Sequence, residues 1–306
     1  MNYSKPALSF EKQADLLLAR GLMTDRDQLL ATLRRVSYYR LSGYWHPFRE
    51  ADDRFRAGTT LETIWDRYTF DRQLRLLVLD AVERVEIAVL RTAMVELHAR
   101  SYGPFGYRQP TAFHPAFATI KPDGRSGHDR MIEDIDRSTA QSKETFVEHF
   151  RTKYVAEPAL PLWMAAEVAS FGNLLTFFRN LNHADKMQIA KAYGLPAKVL
   201  ENWLLCLGYV RNLCAHHARL WNRELAIRPM IPHKDPLWQT PLIPDNRRIY
   251  AVLSLLRSLL RDVAPSSRWP ARLDALLAKY PVMPLAPMGF PSNWKATRLW
   301  AASPTT

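Results

Sequence analysis

Cysteine is scarce in this chain: Cys206 and Cys214 are the two among 306 residues. Two are too few for a disulfide scaffold, and two on one helix cannot make a zinc ribbon. Eight residues of helix would set them about 12 Å apart along its axis, beyond disulfide reach. They read as structural thiols without redox function in a reducing cytoplasm. Long apolar runs are also missing. The best candidate, Leu74 to Leu90, is broken by Arg75, Asp80, Glu83, Arg84 and Glu86, so no bilayer-spanning helix is expected. The opening Met-Asn-Tyr-Ser-Lys-Pro lacks the apolar core of a secretion signal, and a cytoplasmic protein without a membrane partner is expected. There is no G-x-x-x-x-G-K-[ST] phosphate loop, no H-E-x-x-H pair and no G-x-S-x-G elbow. Nucleotide-driven, zinc-dependent and serine-hydrolase chemistries therefore have no support, and neither a metal nor a cofactor is expected.

What the chain does have is positive charge and helical periodicity. Lys and Arg number 42 against 30 Asp and Glu, a net +12, which favours an anionic partner, nucleic acid being the commonest. Hydrophobic residues make up 47% and charged residues 24%, enough for a sizeable core. Spacing predicts helices from about Ser9 to Arg20 and from Asp25 to Tyr38. The aromatic stretch Tyr38 to Phe48, interrupted by Gly43 and Pro47, reads as packing around a turn, with a short strand as the other possibility. Thr59 and Glu62 have capping-box spacing. Apolar residues then recur through Leu74, Leu77, Val78, Ala81, Val85, Ala88, Thr92 and Val95, predicting a helix to about Ala99. Residues 104 to 130 read as a long loop. Helices are expected again near Ser142, over Leu162 to Arg179, Ala184 to Tyr193, Pro196 to about Trp221, Asn246 to Val263 and Ala271 to Lys279. The tail from Pro281 reads as extended and docked by Phe290, Trp294 and Trp300. The expected class is all-α, in three segments: an N-terminal helical and aromatic segment 1–58, a helical core 59–225, and a Pro-rich extension 226–306.

The most informative stretch runs from Tyr209 to Asn222. On a wheel of about 100° per residue, Trp203, Leu207, Val210, Cys214, His217 and Trp221 form one apolar seam. His217 is thereby expected in the core, supporting the site rather than forming it. Arg211, Asn212, His216, Arg219 and Arg223 fall on the other side, with Gly208 and Ala215 in their midst. An Arg, an amide and a His on one surface suit a phosphodiester. A guanidinium holds phosphate oxygens bidentately and an imidazole moves protons near neutral pH. Spacing alone favours a solvated polar face with an incidental histidine.

Arg211-Asn212-x-x-x-His216 resembles the signature of HEPN-domain ribonucleases. Its wider context, Val210 to Arg223, resembles the Abi abortive-infection proteins (AbiD/AbiF-like). So do Lys5-Pro6, Arg20-Gly21-Leu22, Tyr38 to Tyr44, Tyr68 to Arg75, Glu83 to Glu86, Ser170-Phe171-Gly172 and Met288 to Trp294. The resemblance implies a HEPN-like helical bundle with N-terminal helical and C-terminal extensions. It also implies a metal-independent endoribonuclease in antiphage defence, in which Arg211, Asn212 and His216 are catalytic. In such proteins a polar residue of an earlier helix commonly supports the Arg/His pair, and the site forms where two domains meet. Glu83, Arg84 and Glu86 are the candidates for that support, expected to be buried among Val82, Val85, Ile87 and Val89, with a salt bridge as the equal alternative. Arg219, Arg223, Arg72 and Arg75 are candidates for RNA phosphates, the last two serving otherwise to coat a helix. The implied partners are RNA, a second copy of the chain, and a small regulatory RNA. A second function stays open, a non-catalytic RNA-binding protein using the Tyr38 to Phe48 aromatics to stack unpaired bases.

Overall fold

The computed structural model describes residues 6–238 and 245–301; Lys5 and the other N-terminal residues, and the last five, lie outside them. Among the described residues there are helices and three isolated β-bridges but no strand, so the all-α expectation holds. Contacts divide the chain into two units, one drawn from Met1–Leu76 with Ala271–Met283, the other from Leu77–Pro270 with Pro284–Thr306.

The first unit contains α1 (Phe10–Ala19), α2 (Arg26–Val36), α3 (Tyr38–Trp45) and the first half of α4 (Leu61–Val85). Ser9 and Asp25 cap α1 and α2 by accepting backbone N–H groups of Lys12 and Gln28. The Tyr38–Phe48 aromatics correct the turn expectation, since Tyr38 to Trp45 is helical. Tyr38 meets Trp45 edge-on at 4.9 Å, and Trp45 meets Phe55 at 6.2 Å. The start of α4 also differs by one residue. Thr60, not Thr59, accepts the Thr63 N–H at 3.2 Å, while the Thr59 hydroxyl donates to the Arg56 carbonyl at 2.7 Å.

In the second unit, α4 runs on into a π-helical stretch, Glu86–Met94, and then α5 (Val95–Tyr102). Leu74, Leu77, Val78, Ala81 and Val85 are buried as the periodicity predicts. After that the buried positions become Val89, Leu90 and Met94, with Ala88 half-buried and Thr92 exposed, before Val95 is buried as predicted. Hydrogen bonding to i+5 turns the helix more slowly per residue, so a 3.6-residue pattern loses register there. The expected loop contains a short α6 (Pro115–Ala118) and the start of an unexpected α7 (Gly127–Gln141). Ser126 and Asp129 form a full capping box at its start. There follow α8 (Thr145–Lys153), α9 (Leu162–Val168), α10 (Phe171–Asn180), α11 (His183–Lys191), α12 (Ala197–Ala215) and α13 (Ile249–Val263). The segment expected as one helix over Leu162 to Arg179 is two, because Ser170 caps a new start by accepting the Asn173 N–H. α14 (Trp269–Lys279) crosses the boundary between the units. The tail docks as expected, with Phe290 4.6 Å from Tyr250 and Trp300 donating its Nε1–H to Ser254 at 3.1 Å.

Candidate functional site

The motif sits at the C-terminal end of α12. That helix begins after Pro196 and buries Trp203, Leu207, Val210 and Cys214, four members of the predicted seam, each almost wholly enclosed. Trp203 donates its Nε1–H to the Met230 carbonyl at 2.7 Å, anchoring the chain that follows. Both cysteines are buried and in no disulfide, and burial pushes the Cys206 thiol up to about 12. A neutral thiol in that setting is a packing group.

Of the two remaining members of the seam, Trp221 is buried as predicted, though past the helix end, and His217 is corrected. α12 stops at Ala215 rather than near Trp221. His217 takes a left-handed φ of 57°, its N–H donates to the Cys214 carbonyl at 3.0 Å, and the Ala218 N–H donates to Leu213 at 2.8 Å. This pair of bonds is a Schellman motif with histidine at the position glycine usually fills. The wheel fails beyond it, because a wheel presumes that the helix continues. His217 is exposed, not a core residue, while Leu220 and Trp221, past the turn, are buried.

Arg211, Asn212 and His216 are all exposed. Arg211 donates an Nη1–H to Asn212 Oδ1 at 3.3 Å, and the His216 N–H donates to the Asn212 carbonyl at 3.0 Å. Asn212 thus ties the arginine and the histidine backbone to one turn. The expected five-residue polar face is divided, since Arg219 and Arg223 lie past the helix end and are half-buried. Asn222 turns the chain again with φ of 49°, and its Oδ1 accepts from Arg248 at 3.5 Å. Arg248 was not a sequence candidate, and nothing in a linear pattern brings a residue 26 positions away to this turn. Gly208, which the wheel sets among these polar residues, is buried. A Cβ there would stand 2.7 Å from a Phe171 ring carbon, so the glycine admits α10 of the same chain.

The proposed supporting residues are placed elsewhere. Glu83 and Arg84 are exposed, contrary to expectation, and Arg84 pairs with Asp80 at 3.2 Å. Glu86 is half-buried and pairs with Arg91 at 2.6 Å. The five-residue separation suits the π-helical stretch, where i and i+5 come together. Arg91 also donates to the Ala166 and Ala169 carbonyls, closing the C-terminal end of α9. The polar contacts of Arg84 and Glu86 therefore serve the scaffold, not Arg211 or His216. Arg75 is removed from the RNA candidates altogether. It is buried against Asp71, which also accepts the Tyr44 hydroxyl at 2.7 Å. Burial, and then the Asp71 charge, push the Tyr44 phenol up. Arg72 is exposed, in the first unit, whereas the motif belongs to the second.

Among the described residues no group of three or more His, Cys, Asp or Glu side chains stands together as a metal-binding set. Nor is any helix among them long and apolar enough to cross a membrane. The family model described as Abi-like protein matches residues 31–222, more than half of the chain, a span that ends six residues past His216. No curated protein sequence and no solved structure matches.

Proposed function

From the premise that the chain belongs to the Abi-like protein family, an abortive-infection family, we propose that it is a metal-independent endoribonuclease of HEPN type acting in antiphage defence. The observation that carries this reading is the exposure of Arg211, Asn212 and His216 together on the last turn of α12 and its C-cap, tied by the Asn212 bonds. In the reaction His216 takes the proton of a ribose 2′-hydroxyl. The 2′-oxygen attacks the neighbouring phosphorus and the bond to the 5′-oxygen breaks. A proton then passes to that leaving oxygen, giving a 2′,3′-cyclic phosphate and a 5′-hydroxyl. Arg211 stabilises the negative charge that builds on the phosphorane-like transition state. Asn212 holds the guanidinium in orientation.

One histidine of this kind per chain is supplemented by His217, exposed in the adjoining turn, by a second copy of the chain apposed through the same face, or by water. The homodimer rests on the single Arg/His set and on exposed Ala215, since Gly208 is occupied by Phe171. Pure protein incubated with end-labelled RNA in EDTA should cleave it, and His216→Ala should not. Absence of cleavage by the wild-type protein would remove the enzymatic reading.

A second reading, a non-catalytic RNA-binding protein, is favoured by one residue. Of the Tyr38 to Phe48 aromatics, Tyr44 and Trp45 are buried and Phe48 lies under the Arg67 guanidinium, but Tyr39 is 88% exposed. It has a free face for an unpaired base. RNA binding that survives His216→Ala but weakens in Tyr39→Ala would support this reading.

A further inference from the structure

Two adjoining clefts of about 740 and 440 Å³ run between α11 and the N-terminal half of α12, sharing His183, Ala197 and Lys198. Their floor is apolar: Met187, half exposed, with Ala184, Leu195 and Pro196 in one cleft and Leu205 and Met230 in the other. Their rim is basic. Glu201, the acid among the lining residues, is taken up by Lys186 at 2.9 Å and by Arg179 at 3.8 Å. Lys191 and Lys198 are exposed and belong to no ion pair among the described residues. Neither α11 nor α12 has a side chain capping its first turn, and His183 and Ala197, their first residues, both line the groove. Two positive helix ends therefore add to the two lysines.

We propose that this groove docks an acidic amphipathic segment of another protein. Such a segment would set apolar anchors on Met187, Leu195 and Pro196 and carboxylates on Lys191 and Lys198. A flexible thioether at the floor adapts to varied apolar anchors. An exposed methionine between lysines is what a helix-in-groove partner of opposite charge requires. RNA fits less well, because no Phe, Tyr or Trp lines either cleft to stack a base and no arginine lines them to fork a phosphate. Lys198 and His216 are eighteen residues apart along α12 and its cap, about 27 Å at 1.5 Å per residue. A short partner could thus occupy the groove while leaving Arg211 and His216 uncovered. This docking site stands independently of the nuclease reading, since none of its residues belongs to the motif.

The test is a random peptide library displayed and selected against the full chain, followed by synthesis of the enriched peptides. Fluorescence anisotropy would then measure their binding to wild type, to Lys191→Glu/Lys198→Glu, and to Lys191→Ala/Lys198→Ala. Enriched sequences should carry net negative charge and apolar residues three or four apart. Binding should weaken at least tenfold in both variants, with an unchanged melting temperature because both lysines are exposed. A peptide with its acids replaced by lysine should bind the Glu variant better than wild type. Enriched peptides without acidic residues, or peptides indifferent to both variants, would overturn the proposal. So would single-stranded RNA that displaces the peptide competitively, or a dimer of the chain that the Glu variant dissolves, each naming a different occupant.

Discussion

Arg75 and Arg211 look alike in the sequence, each an arginine on a helix beside other polar residues in a strongly basic chain, yet they meet opposite physical conditions. Arg75 is 5% exposed and sits against Asp71, which is 0% exposed, with the Tyr44 hydroxyl 3.3 Å away. Its guanidinium is committed to keeping a buried carboxylate neutralised. Arg211 is exposed, and its one internal bond goes to a neighbouring amide that itself faces solvent. A committed cation holds a fold together, whereas an uncommitted one is available to a phosphate. The same division separates the histidines. His98 is enclosed by Tyr102, Phe113 and Phe177, while His216 stands at an exposed helix end.

The sharpest way to break this comparison is to remove the buried cation. Arg75→Ala strips Asp71 of its partner charge and should lower stability by about 3–5 kcal/mol, read as a shift in denaturant midpoint. An Arg75→Ala protein that keeps its midpoint but loses RNA binding would reverse the roles assigned to the two arginines. Next in size is a pH effect. Burial pushes His98 down to about 4, so the native state resists a proton that the unfolded chain accepts near the ordinary value of about 6.5. Stability from this residue is complete above that ordinary value and is lost as pH falls from there toward 4. His98→Phe should flatten the midpoint-against-pH curve in that window, and an equally steep curve would contradict the assignment. The smallest effect belongs to His217→Gly. Glycine adopts the left-handed conformation without the Cβ clash but loses more entropy on folding. Stability should therefore change by no more than about 1 kcal/mol, whereas a core histidine would have melted the fold substantially.

How far the sequence could be read follows from these same residues. The α12 seam from Trp203 to Cys214 was legible because a buried helix face writes itself at spacings of three and four. The end of that helix was not, because the cap is made by a histidine in a conformation usually marked by glycine. Glu86 and Arg91 were missed as a pair because a five-residue separation has meaning only in a π-helical stretch. α7 was hidden in a Pro- and Gly-rich region, although Ser126 and Asp129 do carry capping-box spacing. Arg211, Asn212 and His216 were legible as a set. The roles of Glu83, Arg84 and Arg75 were not, since exposure depends on what packs against a helix and the chain order does not record it.

The central claim is that the exposed end of α12 does chemistry while the buried polar groups only hold the fold. The most direct measurement is cleavage of end-labelled RNA in EDTA by wild type, His216→Ala and Arg211→Lys, with melting temperatures taken in parallel. Loss of a proton-transfer group should slow cleavage by about 10²–10⁴-fold. The lysine variant, which keeps the charge without the fork, should fall in the same direction. Both should melt with wild type. Cleavage at the wild-type rate by His216→Ala, or loss of cleavage only in step with loss of the fold, would contradict the account.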